Sequence, residues 1–488
     1  MTTSSEPDNT DTRVAAVIVL AAGGGTRMKS AKSKLLHELA GRPLVAHAIN
    51  AAETLQAEHL VAVVGVMADQ VEPVLQQIAP NVRIVHQTDD AYGTGHAVRC
   101  AMNALGDLHG EVVVTLGDAP MLTGQTLQRF VQQHRSEQNA LTVLTAHVPD
   151  PSGYGRIVRG SDGSVLKIVE HRDAAADELA IDEINSGVFV FDAAVLVDGL
   201  SRLTTDNSQG EYYLTDLPDI VQQQGHRIGA HVTDDLWEVE GVNTRVQLAA
   251  INRELNRRAC EHWMLEGVTI VDPQTTWIHD DVDLAPDVTL LPGTSLEGTT
   301  VIGSGSVIGP DTTLRDVEVG ENATVSRTHG SLAVIGTGAT VGPYAYLRPG
   351  TVLDADGKIG TFVETKNAKI GRGAKVPHLT YAGDAEIGDG ANIGAGTIFA
   401  NYDGVDKHHS TVGRYSFIGS DTVLVAPVHV ADGAYVAAGS AITDDVAAGE
   451  LGIARGRQHN SSGWVGRNRA GTKTAEAARV AADTDQQG

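Results

Sequence analysis

Apolar residues follow two rhythms along this chain. From Val14 to about Asn243 they form short β-branched runs, VAAVIVL, HLVAVVGV, RIVHQ, EVVVTLGD, ALTVLTAHV, VLKIVE and NSGVFVF, separated by helix-like stretches such as LVAHAINAAETL and GHAVRCAMNAL. Strands alternating with helices predict an open, largely parallel, Rossmann-like α/β sheet with helices on both faces. Ligands in such sheets sit beyond the carboxyl ends of the strands. The segment from Arg245 to Val268 has no proline and no glycine until its end, which predicts one long helix. Beyond Val268 aliphatic residues recur every sixth position: Leu284, Leu290, Leu296, Ile302, Ile308 and Leu314; Ile335, Val341, Leu347, Leu353 and Ile359; Val412, Ile418, Leu424, Val430, Val436 and Ile442. Neither the helical period of about 3.6 nor the strand alternation produces such spacing, whereas the hexapeptide repeats of a parallel β-helix do. Each hexad makes one short strand, three close a triangular coil, and the aliphatic residue points inward.

These rhythms divide the chain into a disordered tail over 1–13, an α/β domain over 14–243, a linker helix over 244–267, a β-helix over 268–456 and a mostly disordered tail over 457–488. At 488 residues the chain exceeds what one core fills. A formal net charge of −25, from 61 acidic and 36 basic residues, argues against nucleic acid and anionic membranes as partners, so an anionic ligand has to be met by local basic clusters. Cys100 and Cys260 lie far apart without metal-ligand spacing and read as buried free thiols. No apolar run reaches the roughly 20 residues that span a bilayer, and no signal peptide is evident at the N-terminus, so the cytoplasm is expected.

One stretch concentrates chemistry: LAAGGGTRM, which closes the first apolar run, followed by KSKLLHELAGRPL. A glycine-rich turn after a strand exposes backbone N–H groups to a phosphate without a Cβ in the way. Met28 occupies the place of the third glycine of a dinucleotide fingerprint, and no GK[ST] follows as in a Walker motif. What remains are Arg27 and Lys34 beyond the turn, basic groups placed to suit a triphosphate.

This stretch resembles the signature of sugar-phosphate nucleotidyltransferases, and the hexads resemble the left-handed β-helix of hexapeptide-repeat acyltransferases. From about Val14 to Trp464 the chain is similar to the bacterial bifunctional family that joins N-acetylglucosamine-1-phosphate uridyltransferase to glucosamine-1-phosphate N-acetyltransferase. Where the family usually has proline before the lysine, this chain has Ser33, which predicts a less rigid loop. The resemblance implies a UTP and sugar-nucleotide site from Leu20, Ala21, Ala22, Gly23, Lys34, Gln87, Gly93, Thr94, Gly155, Glu170, Asn185 and Asn243. It also implies Mg²⁺ held by Asp118 and Asn243, hard oxygen donors suited to an ion that keeps several waters and takes phosphate oxygens. Lys34 and Arg27 would neutralise charge during transfer of UMP.

The second half interrupts its hexads with AYLRPG, FVETKNA, KVPHLTYAGDAEIGDGANIGAG and NYDGVDK, which resemble the family's acetyltransferase half. That resemblance makes His378 the general base, because an imidazole titrates near neutral pH. It places Arg348, Lys366, Tyr381, Asn392, Asn401, Tyr402 and Lys407 around glucosamine 1-phosphate, and Ala395, Ser420, Ala438, Arg455 and Trp464 along acetyl-CoA. Asn401 and Ser420 are in addition expected to orient the base or stabilise the intermediate. His408 and His409 lack such context and read as solvated. The resemblance further implies a homotrimer with sites between subunits, Trp464 reaching a neighbour, and UDP-N-acetylglucosamine for cell-wall precursors as product. The competing readings are a single-activity nucleotidyltransferase whose β-helix serves regulation or assembly, and a binding or structural protein without either chemistry.

Overall fold

The structure, a computed structural model, describes residues 13–88 and 92–485. Residues 1–12 of the expected disordered tail lie outside the described residues. The chain forms two compact units, one running to Pro286 and including Leu290–Thr300, the other comprising Asp287–Thr289 and everything from Val301 onward.

The first unit is built on a nine-stranded sheet. Its main path runs Ile228–Val232, Leu141–His147, Glu183–Asp192, Glu111–Leu116, Ala16–Ala21, His59–Val64 and Arg83–His86. The sheet is mixed: Glu183–Asp192 lies antiparallel to both neighbours, and Arg156–Arg159 pairs antiparallel with Val165–Val169. The central strands Ala16–Ala21, His59–Val64 and Glu111–Leu116 are parallel and buried on both faces, which accounts for their unbroken apolar runs. Two apolar clusters, one on each face, hold the flanking helices.

A 21-residue helix, Arg245–Leu265, follows; Thr244 caps it through a reciprocal box with Gln247. Asn256 ties this helix to the first hexad strands, donating to the Thr276 carbonyl at 2.8 Å and accepting from the Ile278 N–H at 2.9 Å. Arg42 pairs with Asp281 and lies 3.7 Å from Asp280, so the earliest hexads belong with the α/β unit.

The second unit is a parallel β-helix with three ladders of short strands. One ladder runs Lys358, Lys375, Asn392, Phe417, Tyr435 and Leu451; a second runs Glu364, Tyr381, Ile398, Val423 and Ala441; a third runs Ala368, Ala385, Ser410 and Val428. All of the aliphatic hexad positions named above are buried, none more than 4% exposed. Burying each such side chain contributes about 1.5–3 kcal/mol, which makes the inward column the main source of cohesion. The expected disorder over 457–488 meets two helices instead, Trp464–Asn468 and Lys473–Asp485. The alanine-rich run TAEAARVAAD favours helix intrinsically, although nearly all of its described residues are exposed. Both cysteines are free; Cys260 is buried, its thiol pushed up to about 11 by burial, while Cys100 is only partly buried.

Candidate active sites

The strands Ala16–Ala21 and Glu111–Leu116 end side by side, and at their carboxyl edge a cavity of about 420 Å³ opens. Leu20, Ala21, Ala22, Gly23, Lys34, Gln87, Gly93, Thr94 and Asp118 line it. A Cβ at Gly23 would meet nothing within 4 Å, so the space over its backbone is open to a ligand. Gly25 sits at φ 58°, and a Cβ there would stand 2.6 Å from that of Lys34; the glycine lets the lysine pass beneath the turn. Gln87 Nε2 donates to the Gly93 carbonyl at 3.1 Å, bracing the far wall.

A second cavity, of about 240 Å³, shares Leu20, Thr94, Leu116 and Asp118 with the first. Gly155, Glu170, Asn185 and Asn243 line it. The two cavities therefore hold, between them, every residue of the expected UTP and sugar-nucleotide set, whereas Arg27, expected beside the triphosphate, lines neither. Tyr154, Ser186 and Thr215 also line the second cavity, and the sequence did not single them out. Thr215 Oγ1 donates to Glu170 at 2.8 Å, and burial raises the Glu170 carboxyl above its ordinary value. Neighbouring Asp216 is pushed up to about 6, by burial first and then by the charge of Glu170. Burial together with Glu240 holds the Tyr154 phenol up at about 12, so it stays a hydrogen-bond donor.

Lys34 Nζ bonds Asp118 Oδ2 and lies 3.2 Å from Asn243 Oδ1, which also accepts from Arg27 Nη2 at 2.8 Å. Two oxygens from strand end and helix start thus converge on one ammonium. Carboxylate and amide oxygens of this kind are also donors that suit a hard divalent cation. Ser33 has φ −52°, a value proline itself adopts, and its N–H donates to Gln70 Oε1 at 2.9 Å.

In the β-helix, Thr361 pairs with His378, and backbone bonds link His378 to Gly396, Ala395 to Asp421 and Ser420 to Gly439. His378, Ala395, Ser420 and Ala438 consequently stack along one corner, a coil apart, with Arg455 beside Gly439. His378 is exposed at the head of this column, next to a ridge of Tyr344, Phe362 and Leu379, whose exposures are 54%, 59% and 60%.

Around the corner from His378, on the Tyr381 ladder, Arg348 donates to Glu364 at 2.8 Å and Lys366 faces Lys407. The Lys407 ammonium first, then desolvation and Arg348, hold the Lys366 pKa below its ordinary value, against the opposing charge of Asp384. Tyr381 and buried Asn401 complete the cluster, their polar ends 3.5 Å apart. The Tyr381 ring lies over Gly383, where a Cβ would stand 2.8 Å from ring carbon Cε1. Tyr402 and Lys407 close the loop between them by a bridge. Asn392 is on a different face, between Lys375 and Phe417. Trp464 is 45% exposed on its short helix, with Arg469 over the ring at 5.1 Å. His409 is exposed as expected, but His408 is not simply solvated: its Nε2 lies 2.7 Å from Asp403, whose carboxyl it holds well below the usual range.

Comparison with known proteins gives the same division. Residues 17–176 match the MobA-like NTP transferase domain family. A "Bifunctional protein GlmU" of Kineococcus radiotolerans is 56% identical over 470 residues, 96% of this chain and 95% of the relative. Proteins with that name from Streptomyces avermitilis and Corynebacterium glutamicum are 54% and 52% identical over 96% and 97% of this chain, and 98% of their own length in each case. With such identity sustained across both units, the chain belongs to the bifunctional GlmU family, the uridyltransferase–acetyltransferase enzymes that its motifs resemble.

Proposed function

We propose that the two activities of this family run at the two clusters: acetyl transfer to glucosamine 1-phosphate at the His378 corner, then transfer of UMP from UTP to N-acetylglucosamine 1-phosphate in the paired cavities. The observation that carries the reading is the sharing of Leu20, Thr94, Leu116 and Asp118 by the two cavities, which leaves the nucleotide and the sugar phosphate adjoining at Asp118.

In the first unit a phosphate oxygen of the sugar 1-phosphate attacks the α-phosphorus of UTP. The new P–O bond forms as the bond to the β-phosphate oxygen breaks, and pyrophosphate leaves with the electron pair. The nucleophile is already an anion, so the protein's task is alignment and charge neutralisation. Lys34 exchanges Asp118 for a phosphate oxygen, and Arg27 holds Asn243. Asp118 and Asn243 would hold Mg²⁺, which when bound supplies positive charge to the phosphates.

At the second cluster the amine of glucosamine 1-phosphate attacks the thioester carbonyl of acetyl-CoA. His378 takes the amine's proton, and coenzyme A leaves as the thiolate. Arg348, Lys366 and Lys407 hold the phosphate, and the small residues Ala395 and Ala438 leave room for the pantetheine arm along the corner, toward Arg455. A homotrimer is favoured by the exposed ridge beside His378, and by Asn392 and Tyr381 lying on separate faces, so that both reach one sugar only from two copies. Trp464 then meets the neighbouring copy. The cytoplasm, where UTP and acetyl-CoA are made, is its place; no helix among the described residues is long and apolar enough to cross a membrane.

The test is an assay with glucosamine 1-phosphate, acetyl-CoA and UTP, each omitted in turn, on the parent and on His378→Ala. The reading expects the variant to lose coenzyme A release and keep pyrophosphate release from N-acetylglucosamine 1-phosphate. Unchanged coenzyme A release would leave the β-helix a regulatory or assembly module.

A further inference from the structure

Asp384 stands at a coil corner on the edge of the second cluster, and neither the motifs nor the mechanism above gives it a task. Its backbone lies in the left-handed region, φ 47°, as does that of Asn367 one coil earlier, φ 43°. Its two carboxylate oxygens receive two amides from neighbouring coils. Asn367 Nδ2 donates to Oδ1 at 2.8 Å, and Asn401 Nδ2 donates to Oδ2. The two asparagines differ in setting: Asn367 is exposed, whereas Asn401 is buried, with 7% of its surface accessible.

A carboxylate only accepts, so the nitrogen of the Asn401 amide has to face Asp384. The same nitrogen also donates to Tyr381 Oη, at 3.5 Å. A planar amide with its nitrogen fixed on one side turns its oxygen to the other. Asn401 is thereby held as an acceptor, suited to an N–H of the sugar amine. A neutral partner would leave both amide orientations open.

We propose that Asp384 is a positioning residue for acetyl transfer, fixing the Asn401 amide so that its oxygen, not its nitrogen, is presented to the amine of the acceptor sugar. The proposal rests on the placing of Asn401 in the acetyltransferase site. Burial works against the Asp384 carboxylate, yet the two amide donors and the ammoniums of Lys366 and Lys407 hold its pKa below the ordinary value, so it is charged whenever the enzyme works. The same charge offsets the repulsion between those two lysines before phosphate arrives.

The test uses the full chain and three variants: Asp384→Gly, Asn401→Ala and the double. Glycine tolerates the left-handed backbone, so Asp384→Gly removes the carboxylate without corner strain. Pyrophosphate release and the thermal midpoint report folding, and Asp384→Asn, which keeps the backbone preference and one acceptor, replaces the glycine variant should its midpoint fall sharply. The expected result is a kcat for coenzyme A release lowered roughly 10²-fold by Asp384→Gly, the scale of a misplaced reacting group, with KM for acetyl-CoA little changed. The double variant should lose little more than Asn401→Ala alone, because one residue acts through the other. Multiplying losses, or an unaltered kcat in the Asp384 variant beside an impaired Asn401→Ala, would overturn the proposal alone. An unaltered kcat in Asn401→Ala would overturn the placing of Asn401, and the proposal with it.

Discussion

Lys34 Nζ and Asn243 Oδ1, 209 residues apart in the chain, lie 3.2 Å from each other, and the lysine also bonds Asp118. The ammonium thus sits on the two oxygens that a divalent cation would use. Replacing Lys34 by methionine should lower two quantities. The kcat for pyrophosphate release should fall by roughly 10²–10³, as when one charged donor to a developing anion is lost. The Mg²⁺ concentration for half-activation should fall too, because the competing ammonium is gone. A magnesium titration of residual activity reads both.

Ser33→Pro should leave stability nearly unchanged. The backbone already has a φ that proline adopts, so the unfolded chain loses entropy at no cost in strain, a gain of about 0.4–1 kcal/mol. Against it stands the Ser33 N–H bond to Gln70, with a net worth of about 1 kcal/mol. Gln70 also donates to the Ala31 carbonyl at 3.1 Å, so Gln70→Ala should destabilise the parent more than the proline variant; thermal midpoints of all four combinations decide this.

Asp216 gives a pH-dependent expectation. Its folded pKa, pushed up to about 6, lies above the ordinary carboxyl value, so the folded state binds the proton more tightly than the unfolded one. Its contribution is present at acid pH and is lost as pH rises through about 6. Asp216→Asn should stabilise the protein at pH 8, by about 1 kcal/mol once partial exposure is allowed for, and have little effect near pH 4. Denaturant midpoints at the two pH values check the sign.

Gly383→Ala should act through Tyr381. The new Cβ would overlap the tyrosine ring, and the ring, as the movable element, has to swing away. KM for glucosamine 1-phosphate should rise roughly tenfold, a loss of about 1.4 kcal/mol, while pyrophosphate release is unaltered. Steady-state kinetics of the two half-reactions separate the effects.

Much of this architecture was legible because it depends on local spacing. The hexad aliphatics are buried as their period requires, from Leu284 to Ile442, and the early β-branched runs are the strands of the sheet. The antiparallel run of Glu183–Asp192 escaped notice, since a fully buried strand looks alike in either direction. So did the helices of the C-terminal tail, whose low apolar content masked a high helix propensity. In the sites, the residues inside motifs were readable, whereas their supports were not. Thr215 under Glu170, Gln70 behind Ser33 and Asp384 beside Asn401 are tied to their partners only by folding, across gaps of 45, 37 and 17 residues.

The ladder of Lys358, Lys375 and Asn392 advances one coil every seventeen residues, so each rung leans mainly on the rung above and the rung below. Such a stack can fray from its free end, as a zipper opens from its last tooth. The teeth nearest the C-terminus carry Ala438 and Arg455, while His378 and Lys366 lie several teeth inward. Gentle heating or mild denaturant should therefore cost the enzyme its grip on the acetyl donor before it disturbs the base or the phosphate cradle.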